Sequence, residues 1–185
     1  MSAKSGFTVW LTGLSAAGKS TIGRLVADEL ERRGTLVEVL DGDVVRTHLS
    51  KGLGFSKADR DRNILRIGWV ASRLTRAGAA VVVSAISPYR DTRREARAFI
   101  EEHGTFVEVY VATALEECER RDPKGLYKQA RAGELTEFTG VSDPYEAPEH
   151  AELEIHTEGR TPQESAELVL AKLEELGLIG DEVAA

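Results

Sequence analysis

The sequence predicts one α/β domain built on a five-stranded parallel sheet with helices on both faces. Short apolar runs alternate with stretches of helical periodicity five times, the order that crossover helices over a parallel sheet require. The runs are continuous rather than alternating in polarity, as in strands buried on both sides. A glycine-rich loop ending in Lys and Ser follows the first run, and such a loop belongs at the carboxyl end of a parallel strand.

Phe7, Val9, Trp10 and Leu11 mark the first strand over residues 7–11. Ile22, Leu25, Val26 and Leu30 then share one helical face, and Gly34 is placed to close that helix. Residues 36–40 read as a second strand, running into Asp41-Gly42-Asp43, a turn with two carboxylates. Ser56 and Asp59 have capping-box spacing. They open a long helix with Ile64, Ile67, Val70, Ala71 and Leu74 as its buried stripe and Gly78 as its end. Residues 79–83 are a wholly apolar third strand. Ser87 and Pro88 predict a helix capped by the serine, with proline at its first position, that runs to about His103. Residues 106–111 form a fourth strand, and Thr113 with Glu116 forms a further capping box. Residues 153–157 are a short fifth strand. Thr161, Pro162 and Glu164 cap a last helix with Ala166, Val169, Leu170 and Leu173 inward and Gly177 at its end. Between 122 and 150 no long apolar period appears, and 1–6 and 180–185 read as flexible tails.

The 185 residues fit a single domain, 1–185, without internal repeat or linker. A composition of 42% hydrophobic and 30% charged residues is that of a soluble globular protein. No apolar run has membrane-spanning length and no signal-like segment follows Met1, so a cytoplasmic protein with no membrane partner is expected. A net charge of −7 opposes a broad nucleic-acid surface. The basic residues are nevertheless bunched at 60–66, 90–97 and 120–131, as a local site for a small polyanion would need. Asp91 and Glu95 interleave the 90–97 group, which is therefore expected to be a solvated helix face. Cys118 is the lone cysteine, so it makes no intrachain disulfide and reads as a packed thiol.

Chemistry concentrates in Gly13, Leu14, Ser15, Ala16, Ala17, Gly18, Lys19, Ser20 and Thr21, where two glycines four residues apart precede Lys and Ser. Backbone N–H groups in such a loop curl around a phosphate, and the helix it opens aims its positive end at the same anion. Lys19 suits the β- and γ-phosphates and Ser20 offers a hydroxyl to Mg²⁺. Strand, loop and helix in that order predict a bound nucleoside triphosphate. Ligands of open parallel sheets lie beyond the strand ends, so Asp41, Asp43, Ser84, Ser87 and Thr113 should converge there. Asp43 is the candidate to hold a metal-bound water or to accept a proton. For Asp41, closing the Asp-Gly turn is an equally good reading.

Together these residues resemble the adenylyl-sulfate kinase (APS kinase) family. The matching stretches run in order along the chain: the loop 13–21, residues 40–43 with Arg46, 53–56 with Arg60, Asn63 and Arg66, 84–90, and the long block 118–146. The resemblance implies a single-domain P-loop kinase with a mobile lid at about 122–150. It implies Mg²⁺-assisted in-line transfer from ATP to the 3′-hydroxyl of adenylyl sulfate, giving 3′-phosphoadenylyl sulfate in sulfate activation. Lys19, Asp43 and Ser87 are the implied catalytic groups, Ser20 and Asp43 the metal groups, and Arg120 a neighbour of the ATP adenine. Asp41, Arg46, Arg60, Asn63, Ile86, Ser87, Lys124 and Leu126 are implied acceptor contacts, with Phe55 and Phe138 sandwiching its adenine. Guanidinium forks suit a sulfate or phosphate edge, and Phe138, in a polar loop, has no apolar stripe to join. No histidine neighbours Ser87 in the pattern, so direct transfer is expected over a phosphoserine intermediate. The resemblance further implies a homodimer and a non-covalent association with the enzyme that makes adenylyl sulfate. Ala16 departs from the family's common Gly and Ser142 from its common acidic residue. Two other readings share the loop. A small kinase for a nucleoside monophosphate or sugar acid has no use for Phe55, Phe138, Arg60 and Asn63 together. A nucleotide-dependent switch has no use for the intact lid.

Overall fold

A computed structural model, which describes residues 6–180, places five parallel strands in one sheet of order β2-β3-β1-β4-β5. The strands are β1 (Phe7–Thr12), β2 (Val37–Asp41), β3 (Ala80–Ser84), β4 (Thr105–Val111) and β5 (Leu153–Ile155). The helices are α1 (Lys19–Arg32), α2 (Gly42–His48), α3 (Lys57–Arg76), α4 (Arg90–Glu101), α5 (Leu115–Arg121), α6 (Leu126–Arg131) and α7 (Pro162–Glu175). β1 lies at the centre, with Leu11 opposite Ser84 on β3 and Val109 on β4.

Strand periodicity divides β1 between two cores. Val9 and Leu11 face Ile22, Val26 and Leu30 of α1 and Val169 and Leu173 of α7. Trp10 faces the other way, among Ile64, Ile67 and Ala71 of α3 and Ala96 and Ile100 of α4. A strand covered on both sides needs apolar residues at every position, which is why the runs were continuous. α3 and α4 pack closely at Gly68, where a Cβ would lie 2.8 Å from that of Ala96. Ser56 caps α3 by accepting the Asp59 N–H, and Thr161 with Glu164 completes the box that opens α7.

Several local expectations are corrected. Ser87 does not cap α4, which begins at Arg90 after Tyr89. Its backbone is left-handed (φ 43°), and its hydroxyl bonds Trp10 and the Ala85 carbonyl instead. Thr113 does not cap α5 either: it donates to the Ala17 carbonyl at 2.8 Å and pairs with Thr157 at 2.6 Å, leaving Ala114 at the cap. Two short helices were not expected. The Asp41 carboxylate accepts the Asp43 N–H and turns the Asp-Gly-Asp stretch into α2. The Asp122 carboxylate accepts the N–H groups of Tyr127 and Lys128 and starts α6. Arg90 and Arg94 are exposed, but Arg93 is buried. The expected flexible tails lie outside the described residues except at Gly6 and Gly180. Gly6 is buried, and a Cβ there would stand 2.3 Å from the Thr75 carbonyl oxygen. Among the described residues no helix is long and apolar enough to cross a membrane.

Candidate active site

The loop after β1, the residues after β2 and β3, the start of α3 and the 122–139 segment enclose one cavity of about 610 Å³. Its floor is the glycine loop. Gly13 has φ 150°, and a Cβ there would press to 2.4 Å from the Val111 carbonyl oxygen on β4. Gly18 has φ 109° just before α1, and Ala16, where the family commonly has Gly, also takes the left-handed region at φ 59°. An alanine bears that conformation at a cost of roughly 1–2 kcal/mol.

Lys19 is buried, and its Nζ donates to the Leu14 carbonyl at 2.6 Å. Burial lowers its pKa to about 8, against the raising pull of Cys118, Asp41 and Asp43. Ser20 Oγ donates to Asp41 Oδ2 at 2.5 Å, while Asp41 Oδ1 accepts the Asp43 N–H at 3.0 Å. The carboxylate beside Ser20 is therefore Asp41, expected either as an acceptor contact or as the closer of the Asp-Gly turn, and not Asp43, the expected metal group. Its place at the last residue of β2 was the signal. Asp43 sits one turn outward, exposed, in an ion pair with Lys124. Among the described residues no group of three or more His, Cys, Asp or Glu could enclose an ion. A hydroxyl and a carboxylate fit an ion that keeps waters and takes phosphate oxygens, as Mg²⁺ does.

At the other end of the cavity, the Arg46 guanidinium stands 4.4 Å from the centre of the Phe55 ring and donates to the Gly54 carbonyl. Burial and then the nearby Arg60 depress its pKa. Asn63 is buried, and among the described residues its Oδ1 has no hydrogen-bond partner, an acceptor in want of a donor. Phe55 is 57% exposed. Phe138 lines the cavity but, contrary to expectation, also joins an apolar group: it meets the Tyr127 ring edge-on, centres 5.0 Å apart, and packs on the core. Arg60 lines the cavity with a fork bonded to the Phe55 and Glu137 carbonyls, Thr139 Oγ1 and Asp143. In this conformation it ties the Phe55 loop to the 137–143 segment.

Ile86, Leu126 and Lys124 line the cavity. Ser87 does so too, but its buried Oγ accepts from Trp10 Nε1 at 3.0 Å and donates to the Ala85 carbonyl at 3.1 Å. No base engages it. Arg120 lies away from the cavities, exposed, its fork closed on Glu117 at 2.7 Å. A second cavity of about 350 Å³ adjoins the loop at Ala17, Gly18 and Thr21 and is lined by Arg121, Thr157, Arg160 and Pro162. Arg121 falls three positions after buried Cys118, on the inward face of α5, a spacing that distinguishes it from Arg120.

The family model described as adenylylsulphate kinase matches residues 5–156. An adenylyl-sulfate kinase of Picosynechococcus sp. is 59% identical over 174 residues, covering 94% of this chain and 97% of its own. The solved structure of the Mycobacterium tuberculosis APS kinase in complex with AMPPNP and APS is 46% identical, with a TM-score of 0.88, covering 91% of this chain and 98% of its own. A gluconokinase from Sinorhizobium meliloti shares the fold alone, at 19% identity and a TM-score of 0.57 over 94% of each chain.

Proposed function

This chain belongs to the adenylyl-sulfate kinase family, and from that premise we propose how its residues perform the family's reaction. It is an ATP-dependent kinase that phosphorylates adenylyl sulfate to 3′-phosphoadenylyl sulfate in sulfate activation. The observation that carries the residue assignment is the single cavity, with a phosphate loop at one end and Arg46, Asn63, Phe55 and Phe138 at the other.

The triphosphate lies on the N–H groups of residues 13–20, and Lys19 exchanges the Leu14 carbonyl for phosphate oxygens. The donor base extends toward the second cavity, between Arg121 and Arg160. Ser20 and Asp41 would hold Mg²⁺, which would supply charge neutralisation at the phosphates. Arg46 and Asn63 hold the phosphosulfate and sugar of the acceptor, and Phe55 and Phe138 flank its adenine. The 3′-oxygen then attacks the γ-phosphorus as the bond to the β-phosphate oxygen breaks, ADP leaves, and Asp43 takes the hydroxyl proton. Ser87 acts as a strut, because its hydroxyl proton and one of its lone pairs are engaged within the fold. The 122–150 segment serves as a lid that excludes water. The same reading extends to a homodimer, to a non-covalent partnership with the enzyme that makes adenylyl sulfate, and to a place in the cytoplasm.

An acceptor screen read by ADP release tests the reading. Adenylyl sulfate is expected to support turnover that nucleoside monophosphates and sugar acids do not. Equal turnover with a nucleoside monophosphate would contradict the acceptor assignment.

A further inference from the structure

Helix α4 carries a guanidinium that the reaction as assigned does not use. Arg93 is 3% exposed, and its fork reaches three separate segments. Nε donates to Glu108 Oε1 on β4 at 2.9 Å, Nη1 to the Ser87 carbonyl at 2.7 Å, and Nη2 to the Glu146 carbonyl at 2.7 Å. The first bond balances the buried charge, and the other two give guanidinium N–H groups on Nη1 and Nη2 their acceptors. Those two join the cavity-lining turn to the limb that returns from the lid.

Each side of that seam needs holding. Ser87 sits at φ 43°, a conformation that a residue with a side chain keeps only where its surroundings impose it. The limb meets the turn again where Glu146 N–H donates to the Pro88 carbonyl and Glu146 Oε2 accepts the Arg90 N–H, each at 2.8 Å. Tyr145 OH lies 2.8 Å from Thr12 Oγ1, which itself donates to the Ile86 carbonyl. Upstream in the same limb are Phe138 and Thr139, which line the same cavity as Ile86 and Ser87.

We propose that Arg93 is a positioning residue for the acceptor. It fixes the 86–88 turn against the foot of the lid, and so sets the width of the acceptor end without touching either substrate. The inference rests on the acceptor site proposed above.

Arg93→Lys is the test, because lysine keeps the charge facing Glu108 while its single head cannot span the two carbonyls. The KM for adenylyl sulfate is expected to rise about tenfold, with a fall in kcat, while the Kd for ATP without acceptor stays within about twofold. A purely structural role would lower the active fraction and leave both constants of the folded enzyme in place. Arg97→Lys, a change on the same helix at a residue paired with Glu152, should leave the acceptor KM unaltered. An unchanged acceptor KM in Arg93→Lys, an equal loss of ATP affinity, or the same rise in Arg97→Lys overturns the proposal. Should Arg93→Lys fail to fold, Tyr145→Phe opens the same seam by one hydroxyl, and an unchanged acceptor KM there overturns it as well. If the parent enzyme does not phosphorylate adenylyl sulfate, the acceptor reading itself fails, a result separate from any difference among variants.

Discussion

Burial makes the charged form of Lys19 less favourable than that of a lysine in water. Its pKa stands near 8 in place of its ordinary 10.5 because it is buried. The unfolded chain therefore binds the proton more tightly than the folded one between those values, and this residue's contribution to stability increases as pH rises through that window. ATP binding should run the other way, since the phosphates need the charged form. Calorimetry at about pH 8.5 in buffers of different ionisation enthalpy should show proton uptake on ATP binding. Lys19→Ala should abolish that uptake, and its absence in the parent would contradict the assignment. Phe138 tests the opposite end of the cavity. Base–aromatic stacking is worth roughly 1–3 kcal/mol, so Phe138→Ala should weaken acceptor binding about 5- to 150-fold. ATP affinity without acceptor, set at the glycine loop, should barely change. Parallel titrations of the two ligands check this, and equal losses would remove the ring as an acceptor platform.

Among the elements, α3 and α4 approach closely at their crossing, where Gly68 meets Ala96. Gly68→Ala forces the two helices apart and should cost about 1–3 kcal/mol by denaturant unfolding. A neutral outcome would mean that the helices slide freely over the sheet. Elements whose signals are local were legible in the sequence. The glycine loop between β1 and α1, the Ser56 cap of α3 and the Thr161 box of α7 each depend on residues within a few positions of one another. Where tertiary partners compete for the same group, the local signal misled. Ser87 and Thr113 look like caps, but Trp10 claims one hydroxyl, and Ala17 and Thr157 the other. Arg93 sits among charged neighbours like a surface residue, yet its acceptors come from β4 and from a limb more than fifty positions away. Helices α2 and α6 were hidden because each is one or two turns long and is started by an aspartate carboxylate rather than by apolar spacing.

Across the whole molecule, the parallel sheet gathers groups from residues 13–20, 41–46, 55–63, 84–88 and 122–139 at its carboxyl edge. A shared edge explains how these groups come to line one cavity, and why the sequence could assemble the site from separate stretches once the strands were counted. Direct transfer across that crevice is the central claim. Its most immediate test is a single turnover with γ-labelled ATP and adenylyl sulfate, quenched in acid and followed over time. All the label should appear in the 3′-phosphate of the nucleotide product at the rate of ADP release, with none on protein, and Ser87→Ala should leave that partition unchanged. Acid-stable label on Ser87 that forms first and passes to the acceptor at the turnover rate would contradict the account.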